Sequence, residues 1–142
     1  MNDSKEWVPG QRESSLCPCK SQLNYGICCK PYHFGKAKVE TAEQLMRSRY
    51  SAYFFRKVDY LVETTHPDSR DKGLKEALEK SIYQTNWSFL TISGTSRGGK
   101  DDKTGKVEFV AAYFEGSEPF ELHEISRFKR HKGIWKYLDD KG

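Results

Sequence analysis

The hydrophobic pattern changes period once along the chain. From Thr41 onward, Ala42, Leu45, Met46, Tyr50 and Tyr53 recur at three- and four-residue intervals and share one helical face. Thr41 stands at an N-cap position, with Gln44 three residues on as its capping-box partner, so the spacing predicts a helix over residues 42–55. Arg49 lies in the middle of that apolar stripe, where a guanidinium must be paired, while Arg47 points away. A second helix is predicted over 58–65, turning Val58, Leu61, Val62 and Thr65 inward, and the HPD at 66–68 stops it. A third, over about 73–83, buries Leu74, Ala77, Leu78 and Ile82. After Asn86 the period falls to two. WSFLTIS, VEFVAAYF, FELHEISRF and IWKYL read as four strands, separated by the turn-forming GGKDDKTG, EGSEP and RHKG. The glycine-rich, charged residues 96–105 are expected to form a mobile hairpin loop. Helices first and an antiparallel sheet after them define an α+β domain over 41–142, with no internal repeat.

Ahead of this domain the chemistry is concentrated in one place. All four cysteines fall in LCPCKSQLNYGICCKPYH, spaced C-x-C, eight residues, then C-C. Disulfides within either close pair would strain the bridge dihedral, which leaves only crossed pairs as an oxidised alternative. Two thiolate pairs separated by a turn instead supply four soft ligands able to converge on a tetrahedral ion, which suits zinc. Asn24, Tyr25 and Gly26 form the turn, and Pro18 and Pro31 stiffen its flanks. The expected ligands are Cys17, Cys19, Cys28 and Cys29, with His33 in reserve should one adjacent cysteine fail to reach. Four protein ligands leave no open position, so the metal is expected to be structural, and its binding to contribute folding free energy to a polar segment with little core of its own. Residues 15–34 then form the metal module, residues 35–40 a linker, and residues 1–14 a flexible N-terminus.

Composition narrows the function classes. Of 142 residues 31% are charged, and no apolar run approaches the ~20 residues of a membrane-spanning helix. The first residues lack the apolar core of a secretory signal, so a cytoplasmic location is the expectation. The net charge is +4, and most of it sits before Val39, where six Lys or Arg face three acids. A weakly basic arm of this kind permits nucleic-acid contact without favouring it over a solvated surface.

The string CPCKSQLNYGICC resembles the SEC-C motif, the small zinc module found at the C-terminus of the SecA translocase and in many unrelated proteins. Cys17, Cys19, Ser21, Tyr25, Cys28 and Cys29 match it. The chain departs at Lys20 and Gln22, where glycine is usual, which puts the turn geometry in question and not the ligands. The helices-then-sheet order resembles the cone-shaped nuclear-transport-factor-2-like and cystatin-like architecture. Together TAEQLMRSRYSAY, DYL, THP, the strand-opening Trp87, HEISRF and WKYLD resemble the YchJ family, which joins a SEC-C motif to such a domain. Many members carry a second SEC-C motif after the domain; this chain ends at Gly142 without one. In the SEC-C family the module serves protein contacts, so the resemblance implies a protein partner. It implies no established activity.

Within the cone, alternation along the third strand places Phe120, Leu122, Glu124, Ser126 and Phe128 on the inward face. Glu124 is therefore expected to meet Arg49 as a buried pair. Two readings stand: a structural ion pair fixing helix to sheet, or a charged group left in a pocket to grip a polar ligand. Tyr53, Trp87 and Phe89 are the expected lining, with His66 a further candidate. His123 and Arg127 on the outer face, with Lys129, Arg130 and Lys132, form a candidate contact surface. A binding or adaptor protein is favoured over a small enzyme using the cavity, because pairing with Arg49 would hold the Glu124 pKa down and weaken it as a base. Nucleic-acid association is a third reading.

Overall fold

The sheet is bent by its own first strand. β1 (Asn86–Arg97), β2 (Thr104–Glu115), β3 (Glu118–His131) and β4 (Ile134–Asp139) pair antiparallel in sequence order. On β1 the register slips twice, from Trp87↔Tyr113 to Phe89↔Ala112 and from Ile92↔Phe109 to Gly94↔Glu108. Ser88 and Ser93 are thus extra residues, and each bulge bends and twists the strand. Each also reverses which face the following residues occupy. Trp87, Leu90 and Ile92 therefore share the inner face, while Phe89 turns out and is half exposed. The structure describes residues 14–142; the flexible segment expected over 1–14 falls, but for Ser14, outside them.

α1 (Lys30–His33) precedes the long helix α2 (Ala42–Phe54), which lies against the inner face. The N-cap forms as its residues dictate, with Thr41 Oγ1 accepting from the Gln44 amide at 3.1 Å, while Gln44 Oε1 reaches one residue past the cap to accept from the Glu40 amide at 2.8 Å. Leu45, Met46 and Tyr50 pack with Leu90, Val107, Phe109, Ala111, Phe128 and Trp135 in the main core. The back of the helix is buried as well, because Ser48, Ser51 and Ala52 are small enough for other elements to approach closely. There α3 (Val58–Glu63) and α4 (Leu74–Ser81) close a second cluster around Ala52, Leu61, Leu78 and Ile82. Both helices are shorter than their pattern suggests. Thr64 and Thr65 turn their hydroxyls back onto the Tyr60 and Leu61 carbonyls at 2.7 and 2.8 Å and end α3 early. Ala77, expected inside, faces solvent.

The hairpin between β1 and β2 is pinned where a mobile loop was expected. Arg130 donates through Nε to the Asp102 carbonyl at 2.7 Å and through Nη2 to the Lys100 carbonyl at 2.6 Å. The Asp102 carboxylate accepts from the Gly99 amide at 3.0 Å, and the Gly98 carbonyl accepts from the Ala42 amide at 2.9 Å. The hairpin therefore also closes the N-terminus of α2. A Cβ on Gly105 would stand 2.4 Å from the Gly98 Cα, so these two glycines are what allow so close an approach.

The cysteine segment is part of the same core. Leu16 bridges Asn24, a 3-10 turn spans Tyr25–Ile27, and Cys17, Cys19, Tyr25 and Cys29 belong to the cluster that holds α2 on the sheet. Residues 35–40, expected as a linker, are tied down at both ends. The Ala37 amide donates to the Pro31 carbonyl at 3.1 Å, and the Trp135 indole N–H donates to the Glu40 carbonyl at 3.0 Å.

Candidate metal centre and cone cavity

The four sulfurs converge because the two ends of the segment are folded onto each other. The Cys17 amide donates to the Leu23 carbonyl at 2.8 Å, and the Lys20 amide to the Cys17 carbonyl at 3.2 Å, curling the first pair into a knuckle. Lys20 and Gln22 adopt left-handed backbone there, with φ of 66° and 75°. These are the two positions where the motif usually has glycine, so the turn is kept and the side chains are accommodated in it. The 3-10 turn then delivers Cys28 and Cys29. All four Sγ atoms lie within 4.8 Å of one another, with 3.6 Å between those of Cys19 and Cys28 and 3.9 Å between those of Cys28 and Cys29. A disulfide needs about 2.05 Å, so the thiols are free. A tetrahedral metal–thiolate centre with bonds of about 2.3 Å has sulfurs about 3.8 Å apart, and the observed spacings bracket that edge. The four cysteines could hold a metal ion.

Hydrogen bonding within the cluster moves the thiols in opposite directions. The Cys28 thiol is lowered to about 7, chiefly by hydrogen bonding with Cys17. Cys19 is lowered as well, again chiefly through Cys17, and Ser21 Oγ stands 3.0 Å from the Cys28 sulfur. Cys17 and Cys29 move the other way, raised by hydrogen bonds to their neighbours in the cluster.

His33, expected as a reserve ligand, does a different job. Tyr25 Oη lies 2.7 Å from Nδ1, and Nε2 donates to the Ser48 carbonyl at 2.8 Å, with Ser51 Oγ at 3.2 Å. Both ring nitrogens are occupied, and the ring is not among the four side chains whose ligand atoms gather together. Burial lowers the His33 pKa to about 4, which keeps the ring neutral and fixes Nδ1 as the acceptor for the tyrosine. The ring is a strut between the cysteine segment and the back of α2. Arg47, which points away from the stripe as expected, adds a second strut by donating to the Cys19 carbonyl at 2.6 Å.

Inside the cone lies a cavity of about 200 Å³. Arg49, Tyr53, Trp87 and Glu124 line it, as the sequence suggests. Two expected members do not. Phe89 is turned out by the Ser88 bulge and sits under the Lys20 ammonium at 4.8 Å. His66 is tied to the end of α3, its Nδ1 accepting from the Asp68 amide at 3.1 Å and its own amide donating to the Tyr137 carbonyl at 2.7 Å. Tyr50, Phe109, Ser126 and Tyr137 also line the cavity. Strand alternation already placed Ser126 inward, and the same logic applied to IWKYL would have found Tyr137 beside Trp135.

The expected Arg49–Glu124 pair does not form. Arg49 Nη1 donates to the Leu61 carbonyl at 2.9 Å, to Thr64 Oγ1 at 2.8 Å and to Thr65 Oγ1 at 3.3 Å, and the guanidinium lies over the Tyr137 ring at 4.4 Å. The end of α3, whose carbonyls are unsatisfied within the helix, outcompetes the strand for this cation. Glu124 is consequently not held down. Its pKa is raised, first by burial and then by the Asp140 charge, with only a hydrogen bond to Ser126 opposing. On the outer face His123 pairs with Glu108 at 2.6 Å, and Arg127 grips Asp139 through both Nε and Nη2 at 2.7 and 2.6 Å. Arg130, expected in the same surface, is turned to the hairpin and over the Trp135 ring at 4.4 Å.

A cysteine knuckle built into the edge of a nuclear-transport-factor-2-like cone defines the class: a SEC-C module and an α+β domain sharing one core. Residues 41–140 match the family model described as the YchJ middle NTF2-like domain. The chain belongs to the YchJ family, also designated UPF0225. It is 38% identical over 133 residues to a UPF0225 protein of Geobacter sulfurreducens, covering 91% of this chain and 80% of that one. It is also 38% identical over 126 residues to the UPF0225 protein YchJ of Shigella dysenteriae, covering 89% and 82%. Two solved SEC-C motif proteins share the fold. The one from Rhodopseudomonas palustris superposes with a TM-score of 0.78 at 33% identity, over 87% of this chain and 94% of that one. The one from Psychrobacter arcticus gives 0.79 at 30% identity, over 92% and 84%. No helix among the described residues is long and apolar enough to cross a membrane.

Proposed function

We propose that the protein is a zinc-stapled binding module that presents its SEC-C surface to a protein partner. The observation carrying this reading is the set of four sulfurs gathered within 4.8 Å of one another, with the struts of His33 and Arg47 behind them. Cys17, Cys19, Cys28 and Cys29 would hold zinc as a structural ion, fixing the knuckle and offering no open coordination position. Such an ion supplies folding free energy and no reactive water. The knuckle in turn holds Leu23 and Ile27 in solvent, 48% and 71% exposed, beside a shallow groove edged by Tyr32 and Arg47. Apolar side chains held out by a rigid frame suit a protein contact. Pairing of Arg127 and His123 with acids on the outer face favours this over nucleic acid. Four free thiols suit a reducing compartment, which supports a cytoplasmic location.

The test has two arms. Elemental analysis of protein purified under reducing conditions should find one zinc per chain, lost in Cys28→Ser/Cys29→Ser. Proteins captured from lysate by the wild type should be lost both with that variant and with Ile27→Asp, which leaves the metal in place. Zinc below stoichiometry sinks the metal assignment. Capture unchanged by Ile27→Asp sinks the surface.

A second reading is favoured by one observation. Glu124 is a half-buried carboxyl of raised pKa in an aromatic cavity, the environment of a general base. The depressed pKa that would have argued against catalysis is absent. If the cone is an enzyme, Glu124→Gln should abolish turnover of a bound small molecule while leaving its affinity intact.

A further inference from the structure

We infer that the cone cavity is a binding site for a small aromatic carboxylate, gripped by Arg49. This extends the binding-protein reading from the metal module to the cone.

Arg49 is 7% exposed and lines the cavity. Its hydrogen bonds to Leu61, Thr64 and Thr65 all leave from Nη1. The Tyr137 ring covers one face of the guanidinium. Among the described residues no carboxylate forms an ion pair with it. The Tyr53 phenol is a further hydrogen-bond partner, and a neutral one. A structural tie between α2 and α3 needs one nitrogen. Burying a guanidinium that has neutral partners but no counter-ion is costly, and that cost is removed when an anion arrives. The fork geometry suits a planar carboxylate bound through both oxygens.

The walls set the rest of the ligand. Tyr50, Tyr53, Trp87, Phe109 and Tyr137 offer ring faces and edges. The volume of about 200 Å³ compares with the about 150 Å³ cavity that accepts a benzene ring. One aromatic ring bearing a carboxylate therefore fills it. Glu124 and Ser126 lie in the same cavity; the Glu124 carboxyl disfavours a second anionic group, and both side chains accept a hydrogen bond from a ligand O–H or N–H. The site thus selects a benzoate-sized acid, preferably carrying a donor group away from the carboxylate.

The experiment titrates zinc-loaded, isotope-labelled full-length protein with benzoate, 4-hydroxybenzoate and, as the uncharged isostere, benzamide. The Trp87 indole N–H resonance, assigned with Trp87→Phe, is the readout. Both carboxylates should give saturable shifts, 4-hydroxybenzoate binding more tightly. Benzamide should bind at least about tenfold more weakly. Arg49→Lys should lose about tenfold for benzoate and little for benzamide. Ala111→Leu, which fills the cavity and leaves Arg49 intact, should abolish binding while preserving the rest of the spectrum. No saturable shift with either acid, equal affinity for benzamide, or undiminished binding by a folded Ala111→Leu overturns the inference. Because zinc content and Ile27-dependent capture are measured separately, failure here removes the cavity ligand and leaves the metal-module reading standing.

Discussion

Gln22→Gly should stabilise the protein, although it deletes a side chain from a polar turn. Gln22 holds φ at 75°, where its Cβ crowds the backbone, at a cost of about 1–2 kcal/mol relative to right-handed helical backbone. Glycine removes that cost but loses about 0.5–1 kcal/mol to its freer unfolded state. Gln22 is exposed and makes no hydrogen bond among the described residues, so nothing else is sacrificed. The net gain is about 0.5–1 kcal/mol. Lys20, at φ 66°, starts from the same strain, but its ammonium rests on Phe89 at 4.8 Å, a contact worth about 0.5–1 kcal/mol. Lys20→Gly should therefore be close to neutral. Because the knuckle shares its core with α2 and the sheet, the gain should appear in global unfolding and not only in local fraying. Urea midpoints and thermal melts of zinc-loaded protein measure it; for a chain of this size the melting temperature should rise by about 2–4 °C for Gln22→Gly. A fall in stability for Gln22→Gly, or a gain for Lys20→Gly as large as that for Gln22→Gly, would refute the reasoning.

Three other outcomes are expected. Gly105→Ala drives a Cβ to 2.4 Å from the Gly98 Cα and should cost about 1–3 kcal/mol, with faster amide exchange across residues 98–105. His33 is neutral in the folded chain, with its pKa at about 4 against 6.5 when unfolded, so the unfolded chain takes up the proton first. Its contribution is complete above pH 6.5 and is lost as pH falls from 6.5 to 4, by up to about 3 kcal/mol. Urea titrations of wild type and His33→Gln should converge at the acid end, the variant showing the flatter slope in that window. Chelation should perturb the amide spectrum of residues 16–34 and, through the shared core, the Ser48–Ala52 part of α2; confinement of the change to the cysteine segment would show the two parts to be independent.

Elements were legible wherever one periodicity ran unbroken. The α2 stripe, the two-residue alternation of β3 and the spacing of the cysteines each depend on local geometry alone, and each is found where expected. The pattern stops being legible where one residue changes phase or where partners compete. The extra Ser88 looks like any serine in a strand, yet it reverses Phe89 from lining to surface. Arg49 had two possible partners, and the sequence shows the acid on β3 more plainly than the open carbonyl and paired hydroxyls at the end of α3. The strut role of His33 depends on a contact with Ser48, fifteen residues away, whose complete burial no periodic pattern signals.

One helix explains why a metal knuckle and a ligand-sized cavity occur in the same small protein. On α2, Arg47 and Ser48 take the contacts from the cysteine segment, while the next residue, Arg49, and then Tyr53 face the cavity. Successive helical positions lie about 100° apart, so the two sets look out of different sides of one rod. A rod so used cannot shift toward one side without disturbing the other. Ser48 and Ser51 at the back permit the close packing of His33 and α3 that sets the depth of Arg49 above the sheet. The cysteine knuckle is then a brace for the wall of the cone, with Cys17, Cys19 and Cys29 in the core cluster and Cys28 packed against it.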